Sequence, residues 1–160
     1  MDYHSRNTVW GFRDRVLKNL IFLNAARSED ADVHLVTALI TSLLGLIVFP
    51  YAEIEASKYT SFRRYKLNDL SRRGWPTWTF DIASSDNLHD LVRHLRHAIS
   101  HRRLLFDSDS RELEPVKVQF RDRKNPRGPD DWGATINAAE LQKFVLLFAE
   151  MLKEWEHDYS

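Results

Sequence analysis

Residues 35–49 read LVTALITSLLGLIVF, the most apolar run in the chain. Apolar side chains lie nearly all round it, which predicts a helix from about Asp30 to Phe49 at the centre of a helical fold. The run is shorter than the ~20 residues a bilayer-spanning helix needs. Thr37, Thr41, Ser42 and Gly45 also interrupt it, so a buried core helix is the expectation. Asp30 and Asp32 suit its N-terminal end, and Pro50 disfavours its continuation. A further turn or two over 50–57 would take a new direction.

Three amphipathic stretches surround that helix. Residues 8–26 place Val9, Trp10, Val16, Leu17, Leu20 and Ile21 at helical spacing. Residues 85–103 bury Leu88, Leu91, Val92, Leu95, Ala98 and Ile99, with His89, Arg93, His97 and His101 on the other face. From Asn137 onward Leu141, Phe144, Val145, Phe148, Met151, Leu152 and Trp155 share a face. Asn137 and Glu140 there have capping-box spacing. Before that last helix, Val116, Val118 and Phe120 alternate with Lys117 and Gln119, and 132–136 alternates similarly. The Pro/Gly-rich segment RDRKNPRGPDD lies between, so residues 115–136 read as a β-hairpin with a long loop. The expectation is a mainly α fold, with a small β-hairpin inserted between the third and fourth main helices. All 160 residues form one domain in this reading.

Composition narrows the function classes. The formal net charge is zero, with 23 basic and 23 acidic side chains, so a nucleic-acid partner must be argued from local clustering. There is no cysteine, which excludes disulfides, thiolate metal sites and a cysteine nucleophile. The N-terminal MDYHSRNTVWGFRDR has no apolar signal-peptide core, and a cytoplasmic protein is expected.

Two local clusters are rich in basic side chains. Residues 58–83 mix Arg63, Arg64, Arg72 and Arg73 with Tyr59, Phe62, Tyr65, Trp75, Trp78 and Phe80. They could stack bases and touch phosphates, or form a loop whose aromatics cap the bundle, which is the favoured reading. In the hairpin loop, Arg121, Arg123, Lys124 and Arg127 are diluted by Asp122, Asp130 and Asp131, which favours a solvated turn over a phosphate contact.

The other cluster is RHLRHAISHRR, residues 93–103. It holds four arginines, three histidines and no acid. RNA cleavage suits such a set. The 2′-hydroxyl attacks its own neighbouring phosphate, so only a base, an acid and a stabilising cation are required. Histidine serves as either proton carrier near neutral pH. A guanidinium offers permanently charged donors to the phosphorane. Arg96 and His101 are five residues apart, roughly 140° around a regular helix. A lone helix therefore aims them awkwardly at one phosphate unless a partner surface completes the groove. A zinc reading of His97 and His101 is disfavoured by the flanking arginines and by the lack of an HExxH glutamate.

Arg96-His97-Ala98-Ile99-Ser100-His101 resembles the R-x4-H motif of the HEPN superfamily (higher eukaryotes and prokaryotes nucleotide-binding). LLGLIVFP at 43–50, RHLRHAISH at 93–101, VQF at 118–120 and WGATINAAELQKFV at 132–145 are similar to a compact subfamily of plasmid- and chromosome-borne HEPN proteins. That resemblance implies a bundle of four to five helices, usually dimeric, with the motif helices of two subunits facing across a cleft. It implies a metal-independent endoribonuclease acting on single-stranded RNA, of toxin–antitoxin or other defence type, with no cofactor. Arg96 and His101 would be the catalytic pair. His97 would assist from the polar second position, where Asn is commoner. Arg93, Arg102 and Arg103 are candidate RNA phosphate contacts. The implied partners are RNA, a second copy of the chain, and an antitoxin or other defence-system protein. Some HEPN proteins lack nuclease activity, so the alternative is an inactive module that binds RNA, a nucleotide or a protein.

Overall fold

The computed structural model describes residues 5–28, 32–53 and 60–157. Two long helices come first, α1 (Ser5–Ser28) and α2 (Leu35–Glu53). A 3-10 turn (Ser61–Arg64), a short helix α3 (Leu67–Arg72) and a two-residue strand β1 (Thr79–Phe80) follow. Then come α4 (Leu88–Ser100), β2 (Leu104–Phe106), β3 (Lys117–Asp122), β4 (Trp132–Asn137) and α5 (Ala138–His157).

Helix α2 is the central helix its composition predicts: it packs against α1, α4 and α5. Leu39, Leu43, Leu46 and Ile47 are fully buried along it. Two of the polar interruptions bond within the helix. Thr41 Oγ1 donates to the Thr37 carbonyl at 2.9 Å, and Ser42 Oγ donates to the Ala38 carbonyl at 2.8 Å. Two boundaries differ from expectation. The helix begins at Leu35, and it runs through Pro50 to Glu53 instead of stopping there. Proline supplies no N–H to the Leu46 carbonyl. The densely packed turns before it, with Leu46 and Ile47 buried, set the direction of the chain nonetheless. Asp30, Tyr59 and residues 54–57 lie outside the described residues. No described helix is long and apolar enough to cross a membrane.

The strands are more than one hairpin. β3 and β4 pair antiparallel as expected, but they form the middle of a four-stranded sheet ordered β1-β4-β3-β2. β1 comes from the segment expected to be loop, and β2 follows α4 directly. The aromatics of that first segment do pack inward: Trp78 meets Phe120 and Phe144 edge-on, and Phe62 packs against Phe148.

Helix α4 packs against both α2 and β3. Its N-terminus is set by Asn87, in extended backbone, whose Oδ1 accepts from the Asp90 N–H at 3.0 Å. This cap places the start at Leu88 rather than Ser85. At the other end the Arg102 N–H bonds the Ile99 carbonyl and the Arg103 N–H bonds the Ala98 carbonyl. Those two bonds make a Schellman motif, with Arg102 in the left-handed position at φ 56°. The helix therefore ends at Ser100, and His101, Arg102 and Arg103 lie in the turn beyond it. Asn137 caps α5 through the Ala139 N–H at 2.8 Å, while its amide donates to the Glu114 carbonyl.

Candidate active site at the end of the fourth helix

The placement of the site follows from strand periodicity. Val116, Val118 and Phe120 point inward, and the next residue on that side of β3 is Asp122. Its cross-strand partner is Trp132, the first residue of β4. Both therefore face α4. Buried carboxylates are costly unless hydrogen-bonded, and Asp122, whose side chain is 6% exposed, is fully engaged. Its Oδ2 lies 2.8 Å from His94 Nδ1 and 3.1 Å from His97 Nδ1. Its Oδ1 accepts the Arg123 backbone N–H at 2.8 Å and faces Arg103 Nη1 at 3.4 Å.

The far nitrogens of both imidazoles meet guanidinium groups. Arg93 Nη2 lies 3.1 Å from His94 Nε2, and Arg96 Nη2 lies 3.1 Å from His97 Nε2. A guanidinium can only donate, so each Nε2 presents its lone pair. Each Nδ1 then carries the proton and donates it to Asp122. His94 is also clamped flat on the Trp132 ring, and the Trp132 Nε1–H is held by Ser85 Oγ at 3.1 Å.

For His94 the electrostatics agree with that assignment. Burial, the largest influence, pushes the His94 imidazole below its ordinary pKa; the Asp122 hydrogen bond opposes this and the charge of Arg93 adds to it. Burial works to raise Asp122, but the His94 hydrogen bond, the Arg123 N–H and His97 together hold it below the usual carboxylate value. Asp90 behaves likewise: burial would raise it, while bonds from His89 and Asn87 and the nearby Arg93 lower it.

Of the residues singled out from sequence, Arg93, Arg96, His97 and Arg103 gather around Asp122. His101 and Arg102 are exposed in the adjoining turn, the His101 N–H bonding the His97 carbonyl at 3.0 Å. His89 departs from the expected outer stripe: it is buried, with Nδ1 3.2 Å from Asp90. Asp122, read as one of the acids diluting the hairpin loop, is instead the buried centre of the cluster. The alternation Val116-Val118-Phe120 was the available signal for it, extended by one more step. The loop cations Arg121 and Arg123 pair with Asp81 and Asp130, while Lys124 and Arg127 are exposed. Among the described residues no three His, Asp or Glu side chains form a metal-binding group.

No curated protein and no solved structure shows a significant match to the chain. The family model HEPN pEK499 p136 matches residues 1–159, and the chain thus belongs to that HEPN family.

Proposed function

We propose that this HEPN protein is a metal-independent endoribonuclease that cleaves single-stranded RNA, with Arg96, His97 and His101 as its catalytic residues. The observation that carries the reading is the contact of Arg96 with the lone-pair nitrogen of His97, 3.1 Å away, in a helix end that holds no acid on its own strand of sequence. A permanent cation and a proton acceptor thus share one spot, with His101 in the next turn. In the reaction the O2′–P bond forms, the P–O5′ bond breaks, and the products carry a 2′,3′-cyclic phosphate and a 5′-hydroxyl. Arg96 neutralises the charge gathering on the phosphorane. Arg93, Arg102 and Arg103 steer the neighbouring phosphates. A second copy of the chain completes the groove, as HEPN dimers commonly do, and the biological role is defence or toxin-type, in the cytoplasm.

The test is incubation of purified protein with single-stranded RNA in EDTA. Cleavage that leaves cyclic phosphate ends is expected, with Arg96→Ala and His101→Ala each losing on the order of 10²-fold or more. Equal cleavage by wild type and both variants would overturn the assignment. RNA or nucleotide binding with no cleavage would identify an inactive binding module instead.

A further inference from the structure

We infer that Asp122 is the positioning residue of this site, holding His97 as the Nδ1–H tautomer so that His97 Nε2 is the atom that takes the 2′-hydroxyl proton. The tautomer half of this stands on geometry alone; the proton-transfer half rests on the ribonuclease reading.

Three histidines compete for the role of base, and their surroundings separate them. His94 is fixed between Trp132 and Asp122, with its side chain only 13% exposed, and Arg93 covers its Nε2. It is a clamp that helps seat the carboxylate. His101 is exposed in the turn, and among the described residues its imidazole has no hydrogen-bond partner, so nothing sets its tautomer or direction. His97 combines orientation with access. Its side chain is 34% exposed, its Nδ1 is anchored on Asp122, and its Nε2 faces outward toward Arg96.

The contact with Arg96 adds a device. In the free protein the Arg96 guanidinium caps the lone pair that a base must offer. A phosphate oxygen is a stronger, charge-assisted acceptor for the same N–H groups than a neutral imidazole nitrogen. An RNA phosphate arriving at Arg96 therefore draws the guanidinium off Nε2 and frees the lone pair beside the reacting group. The proton of O2′ moves to His97 Nε2 as O2′ bonds phosphorus. The P–O5′ bond breaks, and O5′ takes a proton from His101. Asp122 keeps its carboxylate throughout and stabilises the imidazolium formed on His97. That carboxylate also answers to the other charges facing the pair: Arg93, His94 and Arg96 from α4, and Arg103 from the turn.

A purely structural Asp122, one that merely ties β3 to α4, would leave kcat unchanged in a folded variant. The first measurement needs no activity: long-range ¹H–¹⁵N spectra of the wild-type protein report which nitrogen of His97 bears the proton. A predominantly Nδ1–H tautomer is expected, and Nε2–H would overturn the positioning role. The second compares Asp122→Asn and Asp122→Glu with wild type in RNA cleavage. Asp122→Asn should lower kcat by roughly 10²- to 10⁴-fold with KM changed only a few-fold, and Asp122→Glu should recover part of kcat. A folded Asp122→Asn variant with wild-type kcat would overturn the inference while leaving the ribonuclease reading intact. A wild-type protein that cleaves no RNA would overturn the proton-transfer half, and the spectra would still decide the tautomer.

Discussion

The imidazole of His94 lies flat against the indole of Trp132, with ring centroids 4.6 Å apart and planes 7° from parallel, and its Nδ1 is 2.8 Å from Asp122 Oδ2. This arrangement accommodates a neutral ring. Burial is the main reason the imidazole resists protonation, ahead of the opposing pull of Asp122. The folded-state pKa lies below the unfolded one, so the unfolded chain binds more protons in the interval between them. The contribution is fully present above about pH 6.5 and is lost as pH falls through the folded value. Asp122 and Asp90 are also depressed, but their contributions disappear only below about pH 4. The melting temperature should therefore fall between pH 7 and pH 5, and His94→Asn, which offers a donor without titrating, should reduce that fall. Calorimetry at the two pH values checks it; an undiminished fall in the variant would show that His94 is not the group responsible.

Arg102 occupies a backbone position that glycine usually takes. At φ 56° its Cβ crowds the following carbonyl, a strain on the order of 1 kcal/mol. Arg102→Gly should therefore raise stability by up to about 0.5 kcal/mol, after allowing for the greater freedom of glycine in the unfolded chain. If the guanidinium meets an RNA phosphate, the same variant binds RNA more weakly, and the slope of log K against log salt becomes shallower by about 0.7. Urea unfolding and binding titrations over a salt series give both numbers. A stabilised variant with unaltered affinity and slope would remove Arg102 from the phosphate-binding set.

These two positions also show what could be read from the sequence. The helix that carries Arg96 and His97 was legible because its six apolar side chains recur at helical spacing and all six are buried. Its end was not, because the Schellman bonds close on an arginine where a glycine would have signalled the stop. The hairpin was legible from alternation, but β1 and β2 are two and three residues long, too short to carry a period, and only tertiary pairing reveals them. Asp122 was hidden by its neighbours. It sits between two arginines at the edge of a Pro/Gly turn, where an acid normally means solvent, and its partners His94 and His97 are 28 and 25 residues away.

The Trp132 side chain is fixed from its edge as well as its face. Its Nε1–H reaches Ser85 Oγ at 3.1 Å, and both residues are buried. Ser85→Ala leaves an indole N–H in the interior without its acceptor, which should cost about 1–3 kcal/mol in urea unfolding. The same change in a Trp132→Phe background has no such donor to orphan and should cost well under half as much. Equal costs in the two backgrounds would mean that Ser85 contributes through packing of the 81–87 loop and not through this bond.

Gly133 allows one side chain to stitch three strands. Arg121 on β3 is its cross-strand partner, and the Asp81 N–H, just past β1, bonds the Gly133 carbonyl. With no Cβ in the way, the Arg121 guanidinium passes over the β4 backbone to Asp81 at 2.7 Å. A Cβ at 133 would fall directly on Arg121 Nη1 and within 2.5 Å of Asp81 Oδ1. The obstructed atoms are side-chain ends, so the strand itself has no reason to distort. Gly133→Ala should therefore displace the guanidinium and lose an ion pair open to solvent on the Asp81 side, worth up to about 1 kcal/mol. In an Arg121→Ala background the added methyl meets less resistance, and its cost should shrink to a few tenths of a kcal/mol. A double-mutant cycle by urea denaturation measures that difference. The same loss in both backgrounds would show that position 133 needs glycine for its backbone and not for the passage of Arg121.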